Sequence, residues 1–193
     1  RDFPVFSIAD IRAAHGGFDR RRLSEWRKKG YIKKIIKGYY LFSDLDIDES
    51  TLLAIANKIY KPSYISFETA MSYYRLIPES IYMITSASTK RTSLFEAPMA
   101  RFSYRTIKPS LFFGYSLLTG GIKMAFVEKA ILDYLYINPA VRIADDFASL
   151  RINREEMLSR VSMERLAGYV QRFNHKRLSK TMKHFLGWLD LST

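Results

Sequence analysis

The sequence predicts an α+β fold, and three observations carry that reading. Residues 18–42 pass from a helical period into two β-prone runs that flank Lys37-Gly38. Residues 81–125 read as strand after strand, separated by polar or Gly/Pro stretches. From residue 127 onward the apolar residues return to helical spacing.

Charge and composition bound the classes. The 193 residues are 48% hydrophobic and 15% aromatic, enough to bury a sizeable core. There is no cysteine, which excludes a disulfide scaffold, a thiolate metal site and a cysteine nucleophile. No apolar run is long enough to span a bilayer and no secretory signal is visible, so no membrane partner and a cytoplasmic location are expected. The net charge of +12 is unevenly spread. Residues 1–42 carry eleven Lys/Arg against four Asp/Glu, residues 43–150 eleven against eleven, and residues 151–193 nine against four. Two basic ends on a neutral body are the electrostatic footprint of a nucleic-acid binder.

The elements follow in order. Ser7 is expected to cap a first helix, IADIRAAH, with Asp10 at the capping-box position and Phe6 stapled onto Ile11. Gly16 and Gly17 end it. Asp19 is the expected N-cap of a second helix, with Phe18 stapled onto Leu23. Gly30 suits its C-terminal turn, where Tyr31 can pack back onto Trp26. YIKKII and YYLF then form a hairpin. Two short helices joined by a tight glycine turn and followed by a hairpin predict a winged helix-turn-helix. Tyr39, Tyr40 and Phe42 are expected to pack the wing onto the helices rather than stack on bases.

The second helix holds the candidate site. Leu23 and Trp26 form its apolar edge. Arg21, Ser24, Glu25 and Lys28 form the opposite stripe. Arg20, Arg21 and Arg22 stand in the first turn, where the macrodipole disfavours cations. A helix tuned only for stability would carry acids there, so an anionic partner is expected at this end. A DNA recognition helix places its N-terminal residues at base edges. Base readout is therefore assigned to Arg21, Ser24 and Lys28. Phosphate contacts are assigned to Arg20, Arg22, Arg27 and Lys29, and to Lys33, Lys34 and Lys37 of the wing. The bland alternative is a solvated charged face.

Residues 43–50 (SDLDIDES) are acidic and break the pattern, which marks a domain boundary. The expected division is 1–45 for the winged domain and 46–193 for an α+β domain, with 78 as the alternative boundary. TLLAIANKIY predicts a helix with Leu52, Ile55, Ala56 and Ile59 inward. Ser66 is the expected cap of FETAMSYYRLI. IYMITSAS, ARFSYRTI, LFFGYSLL and IKMA predict a small, mainly antiparallel sheet. Lys90, Arg91 and Arg101 read as loop and edge charges. VEKAILDYLYI predicts a helix with Ala130, Ile131, Tyr134 and Leu135 on one face. Asn153, with Glu156 completing a capping box, and Ser162 predict two further helix starts. The last helix turns Leu178, Met182, Phe185 and Leu189 inward and Lys176, Lys180 and Lys183 outward, either a solvated face or a second basic patch for phosphates.

No local pattern asks for catalysis. His15, His175 and His184 lie far apart in an HExxH-free sequence. Gly120-Gly121 lacks the Lys-Ser/Thr of a phosphate-binding loop and reads as a turn. Asp145-Asp146 and Glu155-Glu156 are neighbours on helices and point to different sides. No catalytic residue, metal or cofactor is expected.

Several blocks in order carry a resemblance: FSIADIR, RRRLSEWRKKGYIKKIIKGYY, YISFETAMSYYRLIP, YMITSASTKR, FSYRTIKPSLFFGY and KMAFVEKAILDYLY. Together they resemble the AbiEi antitoxins of type IV toxin–antitoxin systems, over most of the chain up to about residue 138. Val127 stands where that family usually has proline, and Arg75 where it often has glycine. The resemblance implies a winged helix-turn-helix that represses its own promoter by binding an inverted repeat in double-stranded DNA. It also implies a C-terminal domain that counteracts a nucleotidyltransferase-like toxin. Two other classes stay open: a winged module that binds protein, and a C-terminal enzyme acting on nucleotides or nucleic acid.

Overall fold

The computed structural model describes residues 5–78 and 83–190. The strand expected from Ile81 therefore begins outside the described residues, and its visible part starts at Met83. The chain is α+β, with helices packed around two sheets.

The N-terminal unit is built from β1 (Val5–Ser7), α1 (Ile8–Ala14), α2 (Arg21–Lys28), β2 (Ile32–Ile36) and β3 (Tyr39–Phe42). Ser7 makes the expected capping box: its Oγ accepts from the Asp10 amide, and Asp10 accepts from the Ser7 amide at 2.7 Å. Strand β1 is not expected from sequence. Its three residues pair antiparallel with β3 and complete a sheet of order β1-β3-β2. Gly38, at φ +88°, closes the β2–β3 hairpin where Lys37-Gly38 predicts a turn.

Alternate residues of this sheet serve two cores. Ile32 and Tyr40 join Leu23 in a small cluster lined by Phe6, Ile11, Phe18 and Trp26. Val5, Ile35 and Leu41 point the other way and belong to the large core of the molecule. Ile32 and Ile35, three residues apart on β2, face opposite sides of the strand and so reach different cores; a β-bulge lies between Lys34 and Ile36. Tyr40 is buried as expected. Phe42 is 41% exposed and rests on Phe6, their ring centres 5.1 Å apart.

The second sheet has six strands: β4 (Ser63–Ile65), β5 (Met83–Ser88), β6 (Ser93–Glu96), β7 (Arg101–Thr106), β8 (Tyr115–Leu117) and β9 (Lys123–Ala125). Their order is β6-β7-β5-β4-β9-β8. The expectation of a small sheet is corrected: the sheet is larger. Three of its pairings, β4–β5, β6–β7 and β8–β9, are antiparallel as expected, but the sheet is mixed. Strand β5 runs parallel to β7 and β4 parallel to β9. Parallel partners come from distant segments, so no hairpin signal marks them. Strand β4 is buried at every residue, as a central strand covered on both faces must be.

Helices cover both faces. Helix α3 (Glu49–Ile59) lies on the face of Tyr104, whose hydroxyl donates to the Ala56 carbonyl at 2.7 Å. It starts two residues before the expected helix, capped by Asp48, and buries Leu53 where Leu52 was expected. The opposite face carries α4 (Phe67–Tyr73) and α5 (Val127–Ile137). Ser66 does not cap α4 with its side chain; its hydroxyl donates to Asp133 of α5 instead. Helix α4 ends early, and Arg75 sits at φ +60°.

Helix α5 is expected to be amphipathic but is buried almost all round, Glu128, Lys129 and Asp133 included. Val127 occupies its first helical position, which proline also suits. Outside α5 pack α8 (Met163–Phe173) and α9 (Lys176–Asp190), with α6 (Ala144–Ser149) against α9. This outer layer is why a single apolar stripe does not describe α5. Asn153 caps α7 (Arg154–Arg160), but Glu156 turns to Arg160 at 2.7 Å and completes no capping box. Ser162 caps α8, and Leu178, Met182, Phe185 and Leu189 of α9 face inward, as expected.

Candidate nucleic-acid interface

Helix α2 is held at its start by the Asp19 carboxylate and at its end by a glycine turn, which leaves its own side chains available. Asp19 stands one residue before the helix-flanking Arg20, yet its carboxylate accepts from the Arg21 amide at 2.8 Å. The expected cap is thus shifted by one position. At the other end Gly30, at φ +74°, lets the Tyr31 amide donate to Trp26 at 2.9 Å and the Gly30 amide donate to Arg27 at 3.1 Å. The expected Tyr31–Trp26 packing does not form: Tyr31 is 60% exposed, and Trp26 instead packs on Phe18, ring centres 5.5 Å apart.

Every residue assigned to DNA from the sequence is exposed. That holds for Arg20, Arg21, Arg22, Ser24, Arg27, Lys28 and Lys29 of the helix and for Lys33, Lys34 and Lys37 of the hairpin. Among the described residues none of these cations is paired with a carboxylate, although Glu25 shares their helix. Unpaired cations on a rigid helix–hairpin are free to meet an external anion.

The fold brings some of them together. Ser24, Arg27 and Lys28 of α2 and Lys33, Lys34 and Lys37 of β2 and its turn line a groove of about 1210 Å³. Glu96 at the end of β6 and Pro98 and Met99 of the β6–β7 connection line it too. Arg20, Arg21, Arg22 and Lys29 lie outside this groove. The assigned base readers are therefore divided, with Arg21 at the helix start and Ser24 and Lys28 in the groove.

The C-terminal lysines form a separate surface. Lys176, Lys180 and Lys183 are exposed and line a shallow pocket with His175 and Asn174 at the α8–α9 junction. The histidines are placed singly. His15 caps the end of α1, the His175 ring accepts from the Leu178 amide, and the His184 ring meets the Arg142 carbonyl. Among the described residues no three His, Asp or Glu side chains gather as a metal site. No helix there is long and apolar enough to cross a membrane.

Sequence reasoning missed a buried polar cluster between α5 and β4. Lys129 pairs with Asp133 and donates to the Tyr64 hydroxyl at 2.7 Å. The Lys129 ammonium also lies 4.9–5.2 Å from the ring centres of Tyr64, Phe113 and Phe173. Burial holds the Asp133 carboxyl above its ordinary value, against the pull of Lys129, Tyr64 and Ser66. The four-residue spacing of Lys129 and Asp133 was the available signal, but on a solvated helix it reads the same way.

The fold and this surface define an α+β protein with an exposed basic helix–hairpin. No family model matches the chain, and no curated protein matches it. Among solved structures it is similar to the RV2827C protein from Mycobacterium tuberculosis, with a TM-score of 0.57. The match has 14% identity and covers 93% of this chain and 71% of that one. At such identity the likeness is one of fold.

Proposed function

We propose that this chain is a double-stranded-DNA-binding regulator whose N-terminal unit is a winged helix-turn-helix. One observation supports this most: the cations of α2 and β2 are all exposed, and among the described residues none is paired. Their helix is meanwhile anchored by Leu23, which is 2% exposed. A solvated helix of ordinary stability gains nothing from three arginines at its positive end. Phosphate groups convert that cost into binding, and the hairpin lysines extend the contact. Lys176, Lys180 and Lys183 are read as a second phosphate contact.

The resemblance to AbiEi antitoxins supplies the rest of the reading. The chain then represses its own promoter through an inverted repeat, acts in the cytoplasm, and counteracts a nucleotidyltransferase-like toxin without being an enzyme itself. The test is binding to the DNA upstream of its own gene across a salt series. A saturable complex is expected, with log affinity falling steeply and linearly with log salt. Binding that is weak for every duplex and insensitive to salt would rule out the reading.

A further inference from the structure

A second basic site lies away from α2. Between α3, the start of β4 and the β8–β9 turn is a pocket of about 620 Å³. Among the described residues Lys58, Lys61, Lys90 and Lys123 line it, and no Asp or Glu does. The surrounding segment, 43–150, has no net charge, so the gathering of Lys61, Lys90 and Lys123 beside Lys58 in one pocket does not follow from general basicity. Asp10 engages Lys58 at 2.8 Å.

The walls are built. The Lys90 ammonium lies 5.5 Å from the Tyr60 ring centre and that of Lys123 5.6 Å from the Tyr115 ring centre. Asn57 accepts from the Lys123 amide at 2.9 Å, which fixes the start of β9 at the pocket. Ser63, only 2% exposed, lines the same pocket, and among the described residues its hydroxyl has no hydrogen-bond partner. Gly120 and Gly121, at φ +76° and +73°, form the rim, with nothing within 4 Å of where a Cβ would stand. A ligand can approach that backbone closely.

Clustered ammonium groups repel one another unless an anion sits among them. A lysine ammonium is a compact charge suited to phosphate oxygens. The volume falls in the range of small-ligand pockets. A concave pocket suits a small molecule better than the convex backbone of duplex DNA. We propose that this pocket binds a small polyphosphate-bearing ligand, held by Lys61, Lys90 and Lys123, with the Ser63 hydroxyl as a further donor. The inference does not depend on the DNA-binding reading.

The test is calorimetric titration of the full chain with inorganic triphosphate in low-salt buffer. One saturable site is expected. Lys90→Gln/Lys123→Gln should weaken it about tenfold or more, since two charged contacts are lost. Lys61→Gln, at an exposed position that disturbs no ring contact, should weaken it in the same direction. Arg20→Ala/Arg21→Ala/Arg22→Ala should leave it unchanged. No saturable binding by the native chain would overturn the proposal. So would loss of binding in the arginine variant with retention in the lysine variants, because triphosphate would then sit on α2. If the lysine variants lose affinity for duplex DNA and keep it for triphosphate, the pocket is a phosphodiester contact and the small-ligand proposal fails.

Discussion

Lys129 and Asp133 stand one turn apart on α5, both with no exposed side-chain surface, and form an ion pair. The Asp133 carboxylate also accepts from the hydroxyls of Tyr64 and Ser66, each at 2.8 Å. The cluster therefore ties α5 to β4 through charge-assisted bonds among buried groups.

The first prediction follows from that arrangement. Asp133→Ala leaves a cation and two hydroxyls buried without their acceptor. It should cost about 3–5 kcal/mol in urea unfolding. The double variant Lys129→Met/Asp133→Leu removes both charges and should recover a large part of that loss. An Asp133→Ala protein with native stability would show that the pair does not hold the fold.

The second concerns readout by α2. Arg21→Ala should cost about 1–3 kcal/mol on the cognate site and relax specificity at one base position. Lys33→Ala should weaken all sequences alike and reduce the salt slope by about one unit. Equal losses on cognate and random DNA for both variants would undo the division into readers and phosphate holders.

Separable activities are the third. Arg20, Arg21 and Arg22 are exposed, so their joint change to Ala should leave melting nearly native. Removing cations from a helix start can even stabilise it. Repression should be lost, while protection against the cognate toxin, with expression from an unrelated promoter, should persist. A normally melting variant that no longer protects would mean that neutralisation needs the DNA-binding surface.

Backbone strain supplies the fourth. Arg75 holds φ +60° at the end of α4. A side chain there costs about 1–2 kcal/mol. Glycine removes that cost but adds about 0.4–1 kcal/mol of unfolded-state entropy to be lost. The relief is larger, so Arg75→Gly should stabilise the protein by about 0.5–1 kcal/mol. A lower melting temperature would show that the Arg75 side chain contributes more than the strain removes.

Low pH is the fifth. Asp10, Asp48 and Asp146 all titrate below the ordinary carboxylate value. For Asp10, burial opposes this, but hydrogen bonds from Lys58 and Ser7 outweigh it. Bonds from Thr51 and Ser50 lower Asp48, and the amides of Arg142 and Ile143 lower Asp146. A depressed folded value means stability present above about pH 3.9 and lost as pH falls through the folded values. Melting temperature should therefore drop below about pH 4. The drop should be shallower in Asp10→Asn/Asp48→Asn/Asp146→Asn, and an unchanged slope there would remove these carboxylates as its cause.

What the sequence alone determined lies within a few residues of itself. The Ser7–Asp10 capping box, the Gly30 helix end, the Gly38 turn and the Ser162 cap are set by backbone groups three to five positions apart, and each was legible. The exposure of the arginines and lysines of α2 and β2 was legible too, because Leu23 and Trp26 define the opposite edge. Only the tertiary structure decided the rest. Strands of three residues, such as β1 and β4, are too short to show a period. The parallel neighbours Ile65 and Met124 belong to segments whose pairing leaves no mark on either one. Lys129 and Asp133 read as a solvent-facing pair until α8 and α9 close over α5, and burial is a property of what packs outside a helix. Lys58, Lys61, Lys90 and Lys123 are scattered along the chain and meet only where α3, β4 and β9 converge.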